Sequence, residues 1–306
     1  MCGLTTAVRL AESGLAVRLL AREMPPDTDS CAAGAMWGPF LAEHPHAADW
    51  ARETLTELQR LSVRPDETGV RLVSGIEASR GEAVPHDWLT ATGDLKVCQP
   101  GELPAGYTHG WRYTTAAVDM PVYSRHLMRR LRESGGDIVQ GSVDSLAELR
   151  GTADVLVNCT GSGARTLVPD PEVTPTRGRI VVVANPGIDS FFAETGEGEE
   201  LTWYVPHGPD VVVLGGTLET STNGGSSQEA ARRIVARCGV IEPLLAGAEI
   251  VDQRIGYRPI RPSVRVESVD LAGLRVVHNY GHGGSGVSLS WGCAGEVLAL
   301  ATTVNG

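Results

Sequence analysis

In GLTTAVRLAESG the apolar residues Leu4, Ala7, Val8, Leu10 and Ala11 recur at helical spacing, and Gly14 closes the pattern before a short apolar run, LAVRLLA, that reads as a strand. Helix then strand is the second half of a βαβ unit. A loop, REMPPDTDSCAAGAMWGPF, follows; its prolines, aspartates and serine oppose regular structure, and a loop of that length in a compact domain usually binds something. From His44 to about Gly75 the pattern is helical, and residues 76–118 mix short strands with turns. VYSRHLMRRLRESGG predicts a basic amphipathic helix stopped at Gly135-Gly136, with a short strand after it. DVLVNCTGSGA is a continuous apolar run ending in a glycine turn, as expected of a buried parallel strand whose carboxyl end faces a ligand. The segment 177–220 is strand-rich, and WYVP and DVVVLGG around His207-Gly208-Pro209 form a predicted hairpin. A helix over QEAARRIVARCG, an extended IVDQRIGYRPIRPSVRVE, and a strand, glycine loop and helix in LRVVHNYGHGGSGVSLSWGCAGEVLALATTV complete the chain. β-α-β pieces at both ends enclosing an antiparallel middle predict an α/β protein with a nucleotide-binding domain assembled from separated segments.

At 306 residues the chain can bury a large core as one big unit or two interleaved domains. Its net charge of −11 argues against nucleic acid or an anionic membrane surface as partner and leaves small molecules. The six cysteines lie scattered without a CxxC pair or a ligand-like cluster with histidine, so neither disulfides nor a metal is expected and a reducing cytoplasm fits. No apolar run is long enough for a membrane span, and no signal peptide leads the chain.

Two stretches carry most of the chemistry. In HNYGHGGSGVSLSWGCA, Gly281, Gly283, Gly284 and Gly286 remove side chains where a strand turns into a helix, so backbone amides can approach an anionic or planar ligand. His282 in that loop is the kind of residue more often structural than catalytic. In GYRPIRPSVR, prolines stiffen an extended backbone, and Arg258 or Arg261 could grip a carboxylate through a planar two-point fork. NCTG, at a strand end, is a weaker signal.

Together with AAGAMWGPF, ADW at 48–50, VLVNCTG, RGRIVVV, VVLGGT and RCGVIEPLL, these stretches resemble the D-amino-acid oxidase family of flavoproteins along most of the chain. The resemblance implies a Rossmann-like FAD-binding domain of discontinuous segments (1–45, 120–165 and 255–306) and an antiparallel-sheet substrate domain (46–119 and 166–254). It implies FAD as cofactor, a D-amino acid and dioxygen as small-molecule partners, and hydride transfer to flavin N5, yielding a 2-oxo acid, ammonia and hydrogen peroxide without a protein acid or base. A homodimer is one assembly it allows. D-aspartate oxidase, glycine oxidase and an inactive flavin-fold remnant are the alternatives; Glu199 and Glu200 near the hairpin make an acidic substrate less inviting.

The resemblance assigns Arg258 to the substrate carboxylate and the Gly284 carbonyl to the substrate amino group. It assigns Gly283, Gly284, Ser285, Gly286, Val287 and Ser288 to the flavin loop. Gly3, Arg22, Thr28, Ser30, Gly34, Ala35 and Met36 match the adenine, ribose and pyrophosphate region, with Glu23 as an alternative ribose contact and Val143 as a backbone contact to adenine. A family tyrosine that helps hold the carboxylate falls on Trp203 when counted back from Pro206, and on Tyr204 when counted back from Gly215-Gly216; the hydroxyl favours Tyr204. The family's helix follows an apolar strand and GxGVxGL, whereas here Met1 stands at the valine, Cys2 follows and Gly3 is the third glycine. Either a GTG valine codon has been read as a start or the product is truncated; on the sequence as written, weak FAD retention and reduced stability are expected.

Overall fold

The computed structural model describes residues 1–40, 42–196, 200, 202–219 and 227–303. In chain order the helices are α1 (Cys2–Glu12), α2 (Ala47–Leu61), α3 (Pro65–Thr68), α4 (Met120–Glu133), α5 (Ala164–Leu167), α6 (Ser227–Ile241) and α7 (Ser290–Thr302). The strands are β1 (Arg18–Ala21), β2 (Val70–Ser79), β3 (Lys96–Val97), β4 (His109–Val118), β5 (Asp137–Gln140), β6 (Leu156–Asn158), β7 (Thr174–Ala184), β8 (Phe191–Glu194), β9 (Trp203–Pro206), β10 (Val211–Gly215), β11 (Ile250–Asp270) and β12 (Arg275–His282).

Local chemistry sets several of these boundaries. The Asp119 carboxylate accepts the Val122 N–H at 3.2 Å and caps α4, and Gly135, at φ 82°, lets the Gly136 N–H turn back to the Leu131 carbonyl at 2.9 Å. Gly14, at φ 89°, ends α1 in a similar left-handed turn. The helical expectation for 44–75 is corrected: α2 stops at Leu61, α3 adds one turn, and Gly69, at φ 73°, redirects the chain into β2. The residues after Gly69, VRLVSGIEAS, find partners in β4 and β8, and sheet pairing overrides the helical reading of residues 70–75.

Ten strands form one sheet in the order β3-β4-β2-β8-β9-β10-β7-β11-β12-β6, parallel at β2–β8 and β12–β6 and antiparallel elsewhere. β11 is the hinge of this arrangement. Its first half, Ile250 to Ile260, pairs with β7, and its second half, Ile260 to Asp270, pairs with β12, so the expected domain boundary at residue 255 falls inside one strand. β1 and β5 pair separately as a two-stranded parallel sheet.

The three largest apolar clusters among the described residues hold these layers. α1, α2, α4 and α7 meet around Trp37, Trp50, Tyr123 and Trp291, where Gly292 brings α7 so close to α2 that a Cβ there would lie 2.2 Å from the Trp50 Cα. One face of the large sheet packs Val181, Val183, Tyr204, Val212 and Leu214 against Ala231, Ile234 and Cys238 of α6. The other face carries Ile180, Val182, Val205 and Val213, with Trp203, toward the interior cavity. Among the described residues no helix is long and apolar enough to cross a membrane.

Candidate active site

A cavity of about 2240 Å³ runs between the two sheets. A single drug-sized ligand occupies a pocket of roughly 300–1,000 Å³, so there is room here for a dinucleotide and a small substrate together. One end is bounded by the amino terminus of α1, by every residue from Ala16 to Pro25, and by every residue from Val155 to Gly163. Consecutive lining means that β1 and β6 turn their strand edges to the cavity, not one face.

The segments that surround this end are tied together by side-chain hydrogen bonds. The Met1 amine donates to the Ser30 hydroxyl at 2.7 Å, the Cys31 N–H donates to the Thr28 hydroxyl at 3.3 Å, and the Tyr257 N–H of β11 donates to the Asp29 carboxylate at 2.9 Å. Met36 bridges to Ala117 of β4, and the Ser288 hydroxyl both accepts the Gly38 N–H and donates to the Gly38 carbonyl at 3.0 Å. Gly3, Arg22, Thr28, Ser30, Gly34, Ala35, Met36, Val143, Gly283, Gly284, Gly286, Val287 and Ser288 all line the cavity, and Glu23 does so in an ion pair with Arg22 at 3.4 Å. Ser285 differs from its neighbours in the loop: it is fully buried, does not line the cavity, and its hydroxyl donates to the Phe40 carbonyl, so its side chain is not one that meets a ligand there. It fastens the loop from behind.

The glycine loop leaves β12 through Gly281 and Gly283, both at positive φ, and the Gly283 N–H donates to the Pro259 carbonyl at 3.0 Å, which sets the loop beside Arg258. A Cβ at Gly284 would sit 3.8 Å from both the Arg258 Cδ and the Phe40 carbonyl, at the junction of three segments. His282 is 3% exposed, within 3.6 Å of the Cys2 thiol, and burial with the nearby amino terminus pushes its imidazole down to about 3. It is a neutral structural histidine. Cys2, also buried, has its thiol pushed up by loss of solvent.

The two candidate arginines separate cleanly. Arg261 donates to Asp170 at 3.1 Å and to Glu172, and its charge is absorbed. Arg258 lines the cavity, donates to the Thr217 carbonyl at 2.9 Å, and has no carboxylate of the described residues as an ion-pair partner; burial alone pulls its guanidinium below the ordinary range. Gly178 is what admits it, since a Cβ there would lie 2.0 Å from a guanidinium nitrogen. A desolvated cation facing an open cavity is costly unless an anion arrives.

The hairpin corrects the preference for Tyr204. β9 pairs with β10 so that Trp203 faces Gly215 and Tyr204 faces Leu214, and neighbouring strand residues point to opposite faces. Tyr204 is 7% exposed, stacks on Phe192 at 6.0 Å in the layer under α6, and does not line the cavity. Trp203 lines it, with the indole lying over Gly34, Gly215 and Gly216. Its Nε1 would be 3.3 Å from a Cβ at Gly216, next to the residue whose carbonyl holds Arg258. Phe40, His86, Trp88 and Thr217 also line this end, and nothing in PHDW at 85–88 marks His86 or Trp88 in the sequence.

The chain matches the DAO family, described as FAD dependent oxidoreductase, over residues 1–300. It belongs to that family. It is 43% identical to a D-amino-acid oxidase of Rubrobacter xylanophilus over 98% of this chain and 93% of that protein, and 42% identical to a D-amino-acid oxidase of Streptomyces coelicolor over the same shares. Its fold is similar to that of glycine oxidase from Geobacillus kaustophilus, with a TM-score of 0.77, 18% identity, and coverage of 97% of this chain and 90% of that one. FAD is the cofactor of the family, and the cavity, bounded by a helix amino terminus and lined by an arginine with no ion-pair partner among the described residues, fits it.

Proposed function

We propose that the protein oxidises D-amino acids to 2-oxo acids, with ammonia and hydrogen peroxide as the other products. The observation that carries this reading is Arg258, a buried guanidinium without an ion-pair partner among the described residues, set beside the glycine loop of an FAD-family cavity. Its fork takes the substrate carboxylate by two parallel hydrogen bonds in a site where water no longer competes. The Thr217 carbonyl holds the guanidinium in place. Trp203 supplies an indole N–H from the neighbouring strand as a second donor for the same carboxylate. With the carboxylate held at Arg258 and the amino group met by the adjoining Gly284 carbonyl, the α-carbon has one orientation to present, and handedness follows from which side the α-hydrogen then faces.

Bound FAD supplies the two-electron acceptor and returns to its starting state by passing the electrons to dioxygen. Gly283, Gly286, Val287 and Ser288 are the residues that would hold its ring system, and α1, Arg22, Thr28 and Ser30 its nucleotide half. No general acid or base is needed among the chain's side chains, because water converts the imino product to the 2-oxo acid in solution. The six free cysteines match a reducing compartment such as the cytoplasm.

The test is peroxide release from D-alanine and L-alanine by the FAD-supplemented protein. Peroxide from the D-isomer alone is expected; equal rates from both isomers, or turnover of the L-isomer only, would sink the assignment.

A further inference from the structure

The two candidate donors for the substrate carboxylate, Arg258 and Trp203, depend on main chain that is held from the far side of the sheet. α6 packs on the face opposite the cavity, and two adjacent residues of that helix reach the main chain of the strands. The Cys238 thiol donates to the Trp203 carbonyl at 3.4 Å, and a guanidinium nitrogen of Arg237 donates to the Gly216 carbonyl at 3.1 Å. Neither Arg237 nor Cys238 lines the cavity. Trp203 and Gly216 do, and Gly216 precedes the residue whose carbonyl holds Arg258.

The peptide between Gly216 and Thr217 is fixed at both of its polar ends. Its carbonyl meets Arg237, and its N–H donates to the Arg179 carbonyl of β7 at 3.3 Å. The Thr217 hydroxyl accepts the Arg179 N–H at 3.2 Å and donates to the Glu219 carboxylate at 2.9 Å. With that plane set, the next carbonyl, that of Thr217, meets the Arg258 guanidinium at 2.9 Å. Arg237 is itself oriented by Glu200, whose carboxylate takes its other terminal nitrogen at 2.8 Å and has Arg233 at 3.9 Å. Glu200, expected to disfavour an acidic substrate, is therefore neutralised by α6; Glu199 lies outside the described residues.

We propose that Arg237 is a positioning residue for the substrate carboxylate, acting through the Gly216–Thr217 peptide on Arg258. The proposal takes its substrate from the oxidase reading, and its geometry from the hydrogen bonds above. A charged donor binds a carbonyl more strongly than a neutral one does. Without it, the buried Gly216 carbonyl loses its partner, and the peptide plane can turn about the bonds that flank it, which carries the Thr217 carbonyl away from Arg258. Arg258 must then find its orientation as the substrate arrives, so binding weakens. Once the carboxylate is seated, the transfer step proceeds from the same geometry, and the effect falls on KM, not on kcat. Cys238 cannot take over the role, because a thiol is a weak donor and this one holds the neighbouring strand.

The test uses the full chain loaded with FAD. Arg237→Leu is expected to raise the KM for D-alanine about tenfold and to leave kcat within about twofold. It should weaken binding of propionate, a carboxylate with no α-amino group to oxidise, by about the same factor, read from the change in flavin absorbance on titration. Arg237→Lys, which keeps a charged donor, should recover most of the loss. In an Arg258→Leu background Arg237→Leu should change kcat/KM by less than about twofold, because the side chain it positions is gone; a residue that only stabilised the fold would weaken both backgrounds alike. Should Arg237→Leu fail to fold, Glu200→Gln, at an exposed carboxylate, is expected to raise the same KM about threefold. Propionate binding that depends on Arg237 only while Arg258 is present supports the link even if D-alanine releases no peroxide, in which case the oxidase reading alone falls. A KM and a propionate affinity that Arg237→Leu leaves unmoved, a loss confined to kcat, or an equal loss with and without Arg258 overturns the proposal.

Discussion

The two ends of the cavity are built in different ways. At the amino-acid end, Trp203, Thr217, Arg258 and His86 stand on or beside strands of a continuously paired ten-stranded sheet, and register decides what Trp203 and Arg258 face. At the nucleotide end, β1 pairs only with β5, and β6 only with β12, among the described residues, and both present edges to the cavity. Hydrogen bonds accepted by Ser30, Thr28 and Asp29, and those made by Ser288, hold that end together in place of strand pairing. Such contacts stabilise by only about 1 kcal/mol each, whereas a paired strand buried on both faces contributes through its whole length. Changes at the amino-acid end should therefore act on kinetics, and changes at the nucleotide end on stability and cofactor retention.

The sharpest test of that division is Arg258→Leu. Removing the carboxylate grip is expected to lower kcat/KM for D-alanine about a thousandfold, or roughly 4 kcal/mol. Flavin retention after desalting should not change, and the midpoint of denaturation should hold or rise, because a desolvated charge is lost. A variant that sheds its flavin instead would show that the two ends are not separable.

Acid is the next lever, and it acts at both ends. His282, beside Cys2, is pushed down to about 3 and His207, in the hairpin, to about 4, in each case chiefly by burial. Both imidazoles stay neutral in the folded state while the unfolded chain takes up protons below about pH 6.5. Stability is thus fully present above that pH and falls as pH drops toward the folded values, by about 2 kcal/mol for each histidine between pH 7 and 5. Urea midpoints at pH 7, 6 and 5 measure this. His282→Asn should remove its share of the slope, and an unchanged slope would mean that the ring is solvated.

A smaller expected effect comes from adding an apolar strand and a Gly-x-Gly turn ahead of Met1, to lie between the edges of β1 and β6. A gain of roughly 2 kcal/mol, a few degrees in melting temperature, and firmer flavin retention are expected. An unchanged melting temperature would show that the two edges are already satisfied.

The finest comparison is between adjacent residues on one strand. Trp203→Phe removes an indole N–H at the cavity and is expected to raise the KM for D-alanine about tenfold. Tyr204→Phe, in the layer under α6, should alter kcat/KM by less than about twofold. The reverse order would mean that β9 is one residue out of register.

Much of this was legible in the chain. The stop at Gly135-Gly136, the strand-turn-helix of residues 275–302 and the hairpin around His207 follow from local rules, and motif identity picks out Gly3, Arg22, Thr28, Ser30 and Gly34 among the many residues that line the nucleotide end. These features depend on residues close in sequence: a cap, a left-handed glycine, a period of apolar positions. The strand after Gly69 was misread because its partners, β4 and β8, lie about 40 and 115 residues further on, and pairing with them outweighs local propensity.

What the amino-acid sequence determined by itself was the class of protein: the order of its elements, the glycine loop and the presence of an arginine beside it. The tertiary structure alone decided which arginine lacks an ion-pair partner among the described residues, since Arg261 is neutralised by Asp170 and Glu172, some 90 residues away, while Arg258 donates to the Thr217 carbonyl. It alone turned Trp203 inward and Tyr204 outward, and set His86 between a buried carboxyl and the cavity. Charge compensation and strand facing are properties of partners brought together in space, and no local pattern specifies who those partners are.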